Sequence, residues 1–109
     1  MPTNIIIGEF EQLVLLAILQ LGDDAYAIAI RDKLSTIAGR TISRGALYRT
    51  LDRLAEKRLV AWDLEEDQIP ERGGHPRRQF AATAEGIAAL RESRATLLEL
   101  WTGLEEVLR

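Results

Sequence analysis

Residues 43–60, SRGALYRTLDRLAEKRLV, carry two stripes at helical spacing. Leu47, Leu51 and Leu54 form an apolar rail that faces a core. Arg49, Arg53 and Lys57 recur every fourth residue and stack as a basic rail on a neighbouring face. Ser43 is a good N-cap for this helix, which the pattern predicts over Arg44 to Arg58. Residues 40–58 hold six basic side chains against Asp52 and Glu56, net +4; the whole chain is −3, so the remainder carries −7. A compact basic strip on an acidic body is the local footprint of a surface that meets a polyanion, and DNA is the polyanion a single helix fits.

The bulk numbers narrow the class. A chain of 109 residues, 47% hydrophobic and 28% charged, is one globular domain of ordinary size. It has no cysteine, so no disulfide framework and no thiolate chemistry. One histidine, His75, leaves little scope for a histidine metal site or a Ser/His relay. Scattered acids such as Glu9 and Glu11 read as surface, and no nucleophile has a positioned base, so the chain is not expected to be an enzyme or to carry a cofactor. The longest apolar run, Leu13 to Leu19, is far short of a membrane span. The N-terminal MPTNIIIGEFE lacks the basic start of a signal peptide, which makes the cytoplasm the default location.

Outward from the basic helix, a small architecture emerges. Gly8 to Leu21 reads as a first helix, with Phe10, Leu13, Val14, Ala17 and Leu21 on one face and Gly22 as its stop. Leu15, Leu16, Ile18 and Leu19 make it apolar nearly all round, so a second copy is expected to supply part of its cover. Asp23 or Asp24 is placed to cap a second helix, Ala25 to Ala38, with Tyr26, Ile30, Leu34 and Ile37 inward and Gly39 closing it. Arg40-Thr41-Ile42 is then a short turn into the basic helix, the helix-turn-helix pattern. After it the period changes to two. Val60, Trp62 and Leu64 alternate with Ala61, Asp63 and Glu65 as a half-buried strand, with Trp62 read as core. Residues 66–76, EDQIPERGGHP, read as a loop, and Arg77 to Ala82 as a second strand with Phe80 inward, giving a β-hairpin wing. Thr83 caps a last helix expected to reach about Leu108, about 26 residues and about 39 Å. Ile87, Leu90, Arg94, Leu97, Trp101, Leu104 and Leu108 follow a coiled-coil spacing on it, broken once by Arg94. With no further chain to pack on, that seam implies a homodimer.

The expected fold class is therefore mainly α with a small β-hairpin: a winged helix-turn-helix over residues 1–82, plus a long C-terminal dimerisation helix over 83–109, in one compact unit. These residues also resemble a family. GALYRTLDRLAEKRLV, followed by GGHPRRQFAATAEG, is similar to the winged-helix domain of PadR-type transcriptional regulators. Gly45, Leu47, Tyr48, Leu51, Leu54 and Leu59 match the first family motif, and Gly74, Pro76, Arg77, Arg78, Thr83 and Gly86 the second. GEFEQLVLLAILQLGDDAYAIAI looks like the family's first helix and the entry to its second, so the similarity covers about residues 8–109. The chain departs from the pattern at His75 (usually Arg), Gln79 and Phe80 (a Tyr pair), Ala82 (Leu) and Arg58 (Gly). The His75 change puts a wing-tip phosphate contact in doubt. The single C-terminal helix resembles the compact subgroup, in which that helix makes the dimer.

Candidate sites follow from both readings. Ser43, Arg44, Tyr48, Arg49 and Arg53 are the expected contacts to double-stranded DNA: arginine can hold guanine O6 and N7, and the helix start suits a phosphate. The competing reading is a solvated face in which Asp52 and Glu56 pair Arg49 and Lys57. Tyr48 is equally placed for the core or, through its hydroxyl, for a phosphate. Arg77 is the wing's phosphate candidate, against the alternative that Arg77 and Arg78 neutralise the acidic loop. The dimer interface is expected at Leu13, Leu16, Ile87, Leu90, Arg94, Leu97, Trp101, Leu104 and Leu108. Trp101 reads first as packing. The resemblance implies a second role: with Leu97, it would be a platform for a planar aromatic effector between subunits. A repressor of a pseudo-palindromic operator is the reading this supports; its rival is a dimeric interaction module whose basic strip meets an acidic protein.

Overall fold

The computed structural model describes residues 7–65 and 76–109. Four helices and one hairpin follow in the order α1 (Glu9–Leu21), α2 (Ala27–Ala38), α3 (Arg44–Glu56), β1 (Val60–Leu64), β2 (Arg78–Ala82) and α4 (Ala84–Trp101). The strands pair antiparallel, from Val60 opposite Ala82 to Leu64 opposite Arg78. This is the winged helix-turn-helix the sequence predicts. Most of the expected wing loop, with Arg72, Gly74 and His75, lies outside the described residues.

One core joins every element. Val14, Leu15 and Ile18 of α1, Ile30 and Leu34 of α2, Leu47, Leu51 and Leu54 of α3, Phe80 of β2 and Leu90 of α4 belong to a single buried cluster. Burying each such side chain is worth about 1.5–3 kcal/mol, so this cluster, not helix propensity, holds the fold. No described helix is long and apolar enough to cross a membrane.

Several expectations are corrected. The α1 core face is Val14, Leu15, Ala17 and Ile18, while Leu16 and Leu19 face outward. Leu13 packs half-buried against the core and Leu90 is inside it, so the face left for a second copy is narrower than expected. The second helix starts at Ala27, not Ala25, and neither aspartate caps it: both lie in a 3-10 turn, Gly22–Asp24. Residues 25 and 26 are instead drawn out against β2. The Phe80 N–H donates to the Ala25 carbonyl at 2.9 Å, and Tyr26 forms a bridge with Gln79. Ile37, expected inward, is 68% exposed. In β1 only Val60 is buried and Trp62 is 43% exposed, because a two-stranded wing leaves the core after one residue. Finally, α4 stops at Trp101, 18 residues long. Gly103 takes φ +85°, and Leu104 and Leu108 lie beyond the helix, off the continuous seam. The Thr102-Gly103 pair supplies the stop: a left-handed glycine cannot extend the helical ladder.

The junction between α3, the wing and α4 is tight. The Thr83 N–H donates to the Leu59 carbonyl (3.0 Å) and its hydroxyl to the Arg58 carbonyl (2.8 Å). The same hydroxyl accepts from the Gly86 N–H at 3.0 Å and caps α4. A Cβ on Gly86 would enter the van der Waals shell of the Leu59 carbonyl, which explains the glycine of the second motif. Arg58, where glycine was the pattern, is the one described non-glycine residue at positive φ (62°). Gly86→Ala is therefore expected to cost about 3 kcal/mol, since fixed backbone must move. Arg58→Gly is expected to add about 1 kcal/mol by relieving left-handed strain. Urea melts of both variants check the opposite signs; a stable Gly86→Ala protein would refute the close approach.

Candidate nucleic-acid interface

The approach to α3 is built from backbone hydrogen bonds. Gly39 ends α2 in the left-handed conformation (φ 67°), and its N–H donates to the Ser35 carbonyl at 3.0 Å. The Arg31 side chain donates Nε to the Ile42 carbonyl at 2.7 Å and holds the turn, with Ile42 buried beneath it. Ser43 then caps α3, its Oγ accepting from the Ala46 N–H at 3.1 Å. The hydroxyl that the sequence suggests for a phosphate is thus also the cap that starts the helix.

The apolar rail of α3 is buried as expected: Leu47, Leu51 and Leu54 are in the core. Its other side is solvent-facing, with Arg44, Arg49 and Arg53 all exposed. Among the described residues none of these three forms an ion pair. The pairing of Arg49 with Asp52 that the competing reading requires does not form: Asp52 lies 3.8 Å from Arg78 of the wing instead. Tyr48 is half-buried, with the Arg44 guanidinium 5.9 Å above its ring. Tyr48, Arg44, Tyr26, Arg77 and Arg78 line a hollow of about 320 Å³ between α2, α3 and the wing.

Three neighbouring cations, Arg77, Arg78 and Lys57, are engaged. The Arg77 Nε and Nη2 donate to the Glu65 carboxylate at 3.2–3.3 Å, and its guanidinium lies 3.9 Å from the Tyr26 ring. Arg78 covers the Trp62 ring at 4.7 Å, which shields one face of that exposed indole. Lys57, the third member of the basic rail, turns away from it. Its Nζ meets the Glu11 carboxylate of α1 at 2.8 Å.

Glu11 is the functional-region residue the sequence reading missed. It was expected on the surface and is 7% exposed. Its other oxygen accepts from the Gly8 N–H at 2.9 Å, half of a capping box at the start of α1. Burial pushes the carboxyl pKa up, but the Lys57 hydrogen bond, the Gly8 N–H and the charges of Lys57 and Arg53 outweigh it and leave the group below its ordinary value. The available signal was Gly8-x-x-Glu11, a residue spacing that fits the cap.

Away from α3, the sequence-predicted effector residues also come together. Leu97 and Trp101 (53% exposed) line an apolar groove of about 490 Å³ with Leu16, Leu19, Ile87 and Arg94. Among the described residues, no group of three or more acids or histidines is placed to hold a metal ion.

A model described as the transcriptional regulator PadR-like family matches residues 15–92. No curated protein matches the chain. A PadR-like transcription factor from Bacteroides fragilis is 28% identical with a TM-score of 0.70, over 90% of this chain and 88% of its own. A PadR family transcriptional regulator from Eggerthella lenta is 30% identical with a TM-score of 0.67, over 93% and 87%. RosR of H. salinarum is 26% identical with a TM-score of 0.67, over 89% and 79%.

Folding lowers the Glu11 pKa, so the stabilisation it brings is present above the ordinary carboxylate range, about 4.3, and is lost as pH falls through the folded value. Glu11→Gln is expected to cost about 1–2 kcal/mol at pH 7, discounted because Lys57 is one-third exposed. The gap between wild-type and variant melting temperatures should close as pH is lowered toward 3; a gap that stays constant with pH would count against the ion pair.

Proposed function

The chain belongs to the PadR-like family of transcriptional regulators, and from that premise we propose that it is a homodimeric repressor of a pseudo-palindromic operator. The carrying observation is the set of three exposed arginines on α3, Arg44, Arg49 and Arg53, without ion-pair partners among the described residues. Guanidinium groups without ion-pair partners along the exposed surface of a capped helix are ready donors to phosphates and to guanine edges. In this reading residues 1–82 hold the DNA and residues 83–109 the second copy. Ser43, Arg44, Tyr48, Arg49 and Arg53 meet one major groove, and the partner's α3 meets the next, about 34 Å away. Arg77 steadies the wing through Glu65 and Tyr26 and reaches the DNA backbone only with the donors they leave.

Dimerisation uses the exposed face of α1 and α4. Leu16, Ile87, Leu97 and Trp101 form its centre, Arg94 its polar interruption, and Leu104 and Leu108 its outer end. Leu13 and Leu90 support it from within the core. A planar aromatic effector wedged beside Trp101 and Leu97 releases DNA if it binds the DNA-free spacing more tightly than the bound one.

Titration of a duplex from the region upstream of the gene tests this at several salt concentrations. Arg49→Ala plus Arg53→Ala should weaken binding at least tenfold and flatten the salt dependence by about 0.9 log units per lost phosphate contact. Unchanged binding sinks the assignment of α3. Light scattering on the intact protein should give a dimer at micromolar concentration. In a Trp62→Phe background, Trp101 fluorescence should respond to planar aromatic compounds that also release the duplex; silence across a diverse set removes the effector step.

A further inference from the structure

The basic rail of α3 has three members in sequence and two in space. Lys57 lies at the end of α3 with its ammonium on Glu11, 2.8 Å away, and the carboxylate is buried in the joint between α1 and α3. Glu11, Arg49 and Arg53 line one hollow of about 300 Å³ at that joint, with Gly8, Ala46 and Thr50. A single buried acid therefore stands behind the free arginines and holds the neighbouring lysine. We infer that Glu11 is a specificity-determining residue for DNA binding: it withholds Lys57 from the DNA-facing charge and moderates Arg53, so that sequence-independent attraction to phosphate stays low. The inference rests on the proposed DNA-facing role of α3.

The physical argument is one of counting charges. Nonspecific affinity rises with each phosphate a protein neutralises, by about 0.9 in the slope of log affinity against log salt. Specific contacts to base edges gain nothing from an extra lysine. A regulator must reject a large excess of nonspecific sites, so its useful quantity is the ratio of the two affinities. Pairing Lys57 internally lowers the nonspecific term without touching the arginines that donate to bases. Glu11 stays ionised at neutral pH despite its burial, because Lys57, the Gly8 N–H and Arg53 together favour the charged form. It is a positioning residue, acting through Lys57 and Arg53, and makes no contact with DNA itself.

The test measures binding to a duplex of scrambled sequence between about 50 and 200 mM salt. Each protein is first shown to be fully folded by circular dichroism under those conditions. Glu11→Gln keeps the acceptor for Gly8 and removes the charge. It should steepen the salt slope by about 0.9 per protomer and raise nonspecific affinity roughly five- to tenfold per protomer at 0.1 M salt, with a smaller gain on the operator duplex. Lys57→Met should leave the wild-type slope unchanged, since that lysine is already withheld, and should cancel most of the gain when combined with Glu11→Gln. A loss of stability alone lowers the active fraction but does not move the slope. A wild-type slope for Glu11→Gln, or a slope flattened by about 0.9 for Lys57→Met, overturns the inference. Should Glu11→Gln fail to fold, the Lys57→Met slope decides alone. The Arg49→Ala plus Arg53→Ala protein separates the two levels: if it binds as the wild type does, the reading of α3 fails; if it loses binding while Glu11→Gln behaves as wild type, only the role of Glu11 fails.

Discussion

The close approach of Gly86 to the Leu59 carbonyl sets the geometry of the whole molecule. At this point the exit of α3, the first residue of the wing and the first turn of α4 share one small volume. Leu59 is fully buried, its N–H donates back to the Leu54 carbonyl at 2.9 Å, and its own carbonyl accepts from Thr83. The backbone has no slack here. Arg58 holds a left-handed conformation that costs about 1–2 kcal/mol and persists because both neighbours are pinned. The direction of α4 relative to α3 is therefore fixed by main-chain contacts, not by adaptable side chains. Any movement of α4 must be passed to α3 or be absorbed farther along the helix.

A second constraint is the division of cations. The acidic body of the protein does not cancel the basic strip, because most of its acids are remote and screened beyond about 8–10 Å in ordinary salt. What decides which arginines are available is short-range geometry. Glu65 holds Arg77 through several donors, Trp62 lies under Arg78, and Glu11 takes Lys57. Of the acids on α3 itself, Asp52 reaches only across to Arg78, at 3.8 Å. The consequence is that Arg44, Arg49 and Arg53 form no ion pair among the described residues. The charge of this helix is thus sharpened by the elements packed around it.

Most of the fold was readable from local chemistry. Ser43 and Thr83 cap helices in the sequence and in space, Gly39 closes α2, and the change from helical to alternating periodicity marks the wing. What was not readable depended on partners distant in the chain. Ala25 and Tyr26 have the composition of a helical first turn but pair with β2, more than fifty residues later, because Phe80 needs an acceptor for its N–H. Trp62 alternates like a core residue, yet the wing carries it past the core, where Arg78 covers it. Glu11 looks like a surface acid until Lys57, 46 residues on, arrives beside it. Gly103 was a local signal overlooked: an apolar spacing that continues to Leu108 outweighed the one residue able to stop the helix.

The shorter α4 changes the apolar surface that the fold leaves uncovered. Eighteen residues span about 27 Å, so the helix leaves the core at Leu90 and extends only about three turns beyond it. On that stretch Leu97, Leu98, Leu100 and Trp101 are all exposed, and Leu16 and Leu19 of α1 are exposed beside them. A contiguous apolar surface of this kind is unfavourable in water for a monomer and favours a covering partner. The covering cannot come from a long two-helix coiled coil, since the helical seam ends at Trp101.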